Sequence, residues 1–472
     1  MNLTRGLVAP VAAAVLAVAC TKYHPQPLSP EASAAAFGHR TLADTALATF
    51  LTTYDSTHST AWDAQRLALT AWYFRPDLEV ERRAWRTAQA AEVTAGMRPP
   101  IGVAGAVERA DNSGPFEAPW TVTLGLVFRI ELGGKRGARI AAAQARALVA
   151  ELQARVVAWD IASDVRSAAL SVVQGDSSIA GWTRRVGRSQ QVADQVTRLY
   201  DADAIGQSTV DQATSEVKLA GSELAAANAQ VIAARAGLAQ LIGVPSAAID
   251  TLSIDATGAV GCGWTEQKTL EELRGIALRR RYEMGVVLAQ YAVAEADLRV
   301  EITKQYPDLE IAPGYSWDQG LHRWIAALAL PNLLLNKNKG PIGEAIARRN
   351  QVASSVESAQ QAVLSQVEVA YSQCRATTQL LDATQQLVDA LRARERTSRA
   401  AYDRGETGQF EAMGLALAVT DAESSLQFAR LRRAVTGSEL ERMTGIWTPE
   451  VPGLPDPLLL PSATFVVQET AP

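Results

Sequence analysis

Aromatic residues are scarce in this 472-residue chain: 8 Phe, 10 Trp and 10 Tyr make up 6% of it. The apolar content is carried instead by Ala, Leu and Val, which argues against several large globular cores and for long helices. An excess of one charge is also missing, with 45 Lys and Arg against 50 Asp and Glu and a formal net charge of −5. Lacking a basic block or stripe, the chain is not expected to bind nucleic acid. The four histidines (His24, His39, His58 and His322) are not paired at helical ligand spacing, and neither HExxH nor GxSxG occurs. These absences point away from an enzyme, a metal site or a cofactor. The stretch "LGGKRGA" is no phosphate loop, because Arg129 stands where the first Gly is required and Arg136 where Ser or Thr is. Its Gly133 and Gly134 read as a joint where the backbone turns sharply.

Long apolar runs are lacking beyond the first residues. Arg5, an apolar run from Leu7 to Ala19 and then Cys20 read as an export signal over 1–19, too short to span a bilayer. Ala17, Val18 and Ala19 before Cys20 resemble a lipoprotein cleavage box, making Cys20 the expected site of acylation, including palmitate; an ordinary secretory signal with an incidental cysteine is the alternative. No later segment offers 18 uncharged apolar residues, so any crossing of a membrane falls to strands. Export makes Cys262 and Cys374 candidates for a disulfide, against two structurally indifferent thiols.

What the chain does have is a duplication. "LYDADAIGQSTVDQ" and "AYDRGETGQFEAM" place Tyr200 over Tyr402 and Gly206 over Gly408, a spacing of 202 residues. The same spacing pairs Ile140 with Ile342, Ala143 with Ala345, Ala145 with Ala347, and Gly243 with Gly445. One structural unit has been copied. An extended, Pro- and Ala-rich lead over 20–41 precedes a first repeat at 42–243, helical in two pieces to residue 95. A connector at 244–268 follows, then a second repeat at 269–445 and a Pro-rich tail at 446–472.

Strict alternation marks strands near 99–109 and 119–131 and again near 307–317 and 322–331. In the second of these, Trp120, Val122, Leu124, Leu126, Phe128 and Ile130 share one face, with Thr121, Thr123, Gly125 and Arg129 opposite. Each run has the length of a tilted strand crossing hydrocarbon. Very long helices follow each pair; Val352, Val356, Ala359, Val363, Val367 and Ala370 keep one narrow stripe. A helix from Leu132 to Tyr200 would reach about 100 Å, with a kink or break expected at Gly175 and Gly181. Edge groups facing lipid cost several kcal/mol each, and four strands are too few to close a barrel, so spanning requires several copies. Trp120, Trp317 and Trp324 then suit an aromatic belt, the alternative being ordinary tryptophans of a soluble sandwich.

Over residues 60–445 the chain resembles the TolC-like outer-membrane factors of efflux and type I secretion systems. The likeness rests on "ALRRRYEMGVVLAQYAVAEADLRVEITKQYPDLEIAPGYSWDQG", on "ELGGKRGARIAAAQA" with "KNKGPIGEAIA", and on the two turns; "AWYFRPDLEVERRA" sets Arg75 over Arg281. It implies a mainly α fold with a membrane β-barrel, in which three copies of a duplicated unit make twelve strands and a periplasmic helical barrel. The connector would belong to an equatorial belt, and the turns near 200–208 and 402–410 would form the periplasmic tip, an iris that opens when adaptor and inner-membrane pump dock.

The family turn carries an aromatic, a glycine and an acid: Tyr402, Gly405 and Glu411 match it, whereas Tyr200 is followed by Asp203 and Thr209. Thr407 replaces a basic partner, with Arg404 as a substitute. Glu411 is thereby implied as a ring of acids; solvated turn acids are the alternative. Cys374 lies about 55 Å down its helix, near the expected height of Cys262. The function implied is the outer-membrane channel of a tripartite efflux pump. A type I secretion channel and a non-channel periplasmic coiled-coil lipoprotein scaffold are the alternatives, and the cargo is left open.

Overall fold

The computed structural model describes residues 23, 25–55, 61–109, 120–256, 261–265, 268–318, 320–330, 337–446 and 455–462. The export signal over 1–19 and Cys20 lie outside the described residues. The first repeat holds helices α1 (Pro30–Gly38), α2 (Thr45–Tyr54), α3 (Ala64–Phe74) and α4 (Pro76–Ala95), then strands β1 (Gly102–Arg109) and β2 (Trp120–Ile130). Long helices α5 (Lys135–Asp201) and α6 (Gln207–Ile242) complete it. The second repeat follows with α7 (Leu270–Arg280), α8 (Tyr282–Thr303), β3 (Leu309–Asp318), β4 (Leu321–Ala329), α9 (Lys339–Asp403) and α10 (Gln409–Thr444).

Three expectations are corrected. The lead is not extended throughout, because Ser29 caps the amide of Ala32 and Pro30 takes the first helical position, so an Ala-rich stretch winds into α1. The helix ending at residue 95 is interrupted at Arg75, extended at φ −77° and ψ 122°, since the following Pro76 disfavours helical backbone before it. α5 runs unbroken for 67 residues through Gly175 and Gly181. These glycines are where neighbouring helices come close: a Cβ on Gly175 would stand 2.5 Å from Val231 Cγ2, and one on Gly181 3.1 Å from Ser424 Oγ.

Duplication extends to backbone detail. α6 and α10 have bounds 202 residues apart and both end on a left-handed glycine, Gly243 at φ 86° and Gly445 at φ 69°. Arg75 and Arg281 make the same extended corner before α4 and α8. The cores sit around these corners at mid-height. In the first repeat Leu47, Phe50, Leu67, Trp72, Phe74, Ile161, Val165, Leu238 and Ile242 are buried together, and Trp72 Nε1 donates to the Ala158 carbonyl at 2.8 Å. In the second, Leu273, Ala277, Met284, Val363, Val367 and Leu440 pack around Cys262 and Cys374. Among the described residues no helix is long and apolar enough to cross a membrane.

Candidate functional site

The four strands make one antiparallel sheet in the order β1-β2-β3-β4. Its register fixes two chemically different faces. Leu124 lies opposite Gly105 on one side and Tyr315 on the other, and Tyr315 opposite Trp324. Because alternate residues share a face, Val103, Val107, Val122, Leu126, Phe128, Ile311 and Leu328 join them. Among the described residues nothing packs on this apolar face, with Leu124 60% and Leu328 72% exposed. The opposite face is polar and internally bonded: Thr121 donates to Asp318 at 2.7 Å, Thr123 to Ser316 at 3.2 Å, and Arg129 pairs with Glu310 at 2.7 Å.

Among the described residues the outer edges of β1 and β4 have no strand partner. β2, at 11 residues, extends about 36 Å, enough to cross hydrocarbon with a tilt. Trp120 stands opposite Arg109, Trp317 opposite Val122 and His322, and Trp324 opposite Tyr315. All three tryptophans therefore lie on the apolar face toward the hairpin ends, away from the helices. Tyr315 and Trp324 meet edge to face at 5.3 Å.

At the other end the sheet is tied to the rods. Gly133 and Gly134, at φ 72° and 75°, turn β2 into α5; a Cβ on Gly133 would strike the Tyr306 ring at 2.5 Å. Lys135 Nζ reaches Asp308 at 2.6 Å, and Arg136 donates to the Gly96 carbonyl at 2.6 Å. In the second repeat Asn338, left-handed at φ 52°, starts α9, and its side chain donates to the Glu301 carbonyl at 2.8 Å.

The two distal turns are closed by the same bonds. The amide of Asp203 donates to Tyr200 and that of Gly405 to Tyr402, each at 2.8 Å; those of Ala204 and Glu406 reach back to Leu199 and Ala401, each at 2.9 Å. Asp203 thus holds at φ 58° the left-handed position that Gly405 holds at φ 73°, a conformation that Asp tolerates better than most side chains. Thr209 and Glu411 open the descending helices, their amides donating to Gly206 and Gly408. Arg404 is turned to its neighbour Glu406, at 2.7 Å, which holds the Glu406 carboxyl below its ordinary range. Arg404 is therefore not a partner of Glu411, which stays exposed at the turn.

Sequence reasoning missed the ties between the two hairpins. Arg442 on α10 bridges Asp160 and Asp164 on α5 at 3.1 and 2.8 Å, and buried Arg166 pairs with Glu441. Nearer the turns Arg185 pairs with Asp421 and lies 3.5 Å from Glu216, joining α5 to both α10 and α6. These partners are far apart in the chain and carry no spacing signal. At mid-height Cys262 and Cys374 are joined by a disulfide with Cα atoms 5.7 Å apart, fastening the connector to α9. Among the described residues no group of three or more His, Cys, Asp or Glu is disposed to hold a metal ion.

Residues 76–244 match the family model described as "Outer membrane efflux protein". The chain is 29% identical over 323 residues to the cobalt-zinc-cadmium resistance protein CzcC of Cupriavidus metallidurans, covering 66% of this chain and 72% of that one. Its fold is similar to CusC, with a TM-score of 0.62 at 16% identity over 83% of this chain and 96% of that one. It is likewise similar to the outer-membrane channel OprN, with a TM-score of 0.65 at 15% identity over 90% and 98% of the two chains. Residues 76–244 thus carry a likeness to the outer membrane efflux protein family, and the fold of the chain is that of the solved outer-membrane channels.

Proposed function

We propose that three copies of this chain close a twelve-stranded barrel in the outer membrane, continued into the periplasm by a duct of their long helices. The duct is the exit of a tripartite efflux pump, receiving cargo from an inner-membrane transporter through a periplasmic adaptor, with Cys20 acylated as a second anchor. One observation carries this reading: a four-stranded sheet that, among the described residues, has a bare apolar face, a bonded polar face and two edges without a strand partner. In lipid such edges are tolerable only when a neighbour completes them, and the polar face then lines the pore. The resistance named for the curated relative directs attention to divalent transition-metal cations as cargo.

The experiment is expression in a host lacking its own metal-efflux channel, together with the matching adaptor and pump. Restored growth on zinc, cobalt or cadmium is expected, with a detergent-extracted trimer that conducts ions across a planar bilayer. A water-soluble monomer without conductance would refute the channel; a conducting trimer that restores no metal tolerance would refute the cargo alone.

A further inference from the structure

The long helices of one chain lie side by side in the order α6, α5, α10, α9, since α5 packs on α6 and on α10, and α9 on α10. α6 and α9 are thus the outer helices, and among the described residues neither has a neighbour on its far side near the turns. The duplication says what meets what there. Shifting by 202 residues maps α6 onto α10 and the turn end of α5 onto that of α9, because the ends at Asp201 and Asp403, the turn bonds and the left-handed Gly243 and Gly445 keep that register, while the far ends of α5 and α9, at Lys135 and Lys339, stand two residues out of it. The seam between α5 and α10 inside a chain therefore has a twin between α9 of one chain and α6 of the next.

At the level of Arg185 and Asp421 the inner seam is closed by an ion pair. The register puts Leu387 in the place of Arg185 and Leu219 in the place of Asp421. Both leucines lie bare in the single chain, Leu387 at 50% and Leu219 at 57% exposure. Just above, where Gly181 and Ser424 let α5 and α10 approach closely, the twin positions are Ala383 and Ser222, small enough for the same approach.

We propose that Leu387 packs against Leu219 of the partner subunit, so that seams around the helical duct alternate between an Arg–Asp pair within each chain and a Leu–Leu pair between chains. This rests on the trimeric reading above and specifies its contacts. An apolar pair suits an interface formed after each chain has folded, because two matching side chains leave water together without a charge to desolvate. The ion pair, formed within one chain, fixes the lateral register of the two hairpins instead.

The test is cysteine pairing in the full-length membrane-embedded protein. Leu219→Cys with Leu387→Cys in one chain is expected to give, on mild oxidation, a reducible covalent trimer on denaturing gels, and each single variant is not. A second set exchanges chemistry: Leu387→Arg or Leu219→Asp alone lowers the trimer's dissociation temperature, and the double variant recovers most of that loss by recreating the inner pair. A native trimer that neither crosslinks in the double-cysteine form nor recovers in the charge pair would overturn the proposed contact and leave the trimer standing. A wild-type protein that is monomeric in detergent would overturn the trimeric reading itself.

Discussion

Gly437 and Gly187 show how differently one residue type is used. A Cβ on Gly437 would stand 2.5 to 2.9 Å from backbone atoms of Gly261 and Cys262, so α10 carries no side chain where the connector crosses it. Gly187, inside α5, has open space around it. Gly437→Ala is expected to push the connector off and destabilise by about 1–3 kcal/mol, as overpacking does. Gly187→Ala should stabilise by up to about 1 kcal/mol through helix propensity alone. Thermal melting of both variants checks the sign of each effect. In the sequence Gly187 and Gly437 look alike, each a glycine within a helical stretch; which of them is a contact is decided by a backbone more than 170 residues away.

At the scale of elements, the strands were readable because period-two alternation of Trp, Val, Leu and Phe over Trp120–Ile130 is hard to produce by chance, and the register confirms a two-faced sheet. The helical rods were readable from length and stripe. Their breaks were not: α5 is helical through Gly175 and Gly181, which stand close to Val231 and Ser424, while the interruption at Arg75 lies one residue before a proline. The short helix in the lead depends on the Ser29 cap rather than on periodicity, so composition alone reads it as extended. The connector owes its position to the disulfide, which closes a span of 112 residues between Cys262 and Cys374. Loop-closure entropy for such a span is worth about 4–5 kcal/mol. Cys374→Ser should lower stability by an amount of that order, and reduction of the wild type should reproduce the loss in denaturant titrations.

For the whole molecule the decisive matter is what three chains would bring to one axis in the proposed trimer. Glu411 sits exposed at the second turn, and Arg404 is occupied by Glu406 and does not neutralise it. Three such carboxylates at a constriction would concentrate cations and exclude anions. Glu411→Ala is expected to shift the reversal potential of the reconstituted channel toward lower cation preference, and an unchanged potential would remove Glu411 from that role. The turn motif pointed to Glu411, but the pairing of Arg404 was not legible, because a two-residue choice between neighbouring acids depends on local backbone rather than on composition.

Residues 456–460 fold back on the first repeat: Arg82 donates to the Pro457 carbonyl at 2.9 and 2.6 Å, Arg155 reaches Asp456 at 3.3 Å, and Leu460 is buried in the same cluster as Leu47 and Phe74. The interior begun by the earliest helices is finished by residues synthesised more than 350 positions later. A chain extended only through its first half therefore has an open flank there. Completion of the protomer, and with it readiness for the proposed assembly, waits on a segment more than 350 residues beyond the helices that it covers.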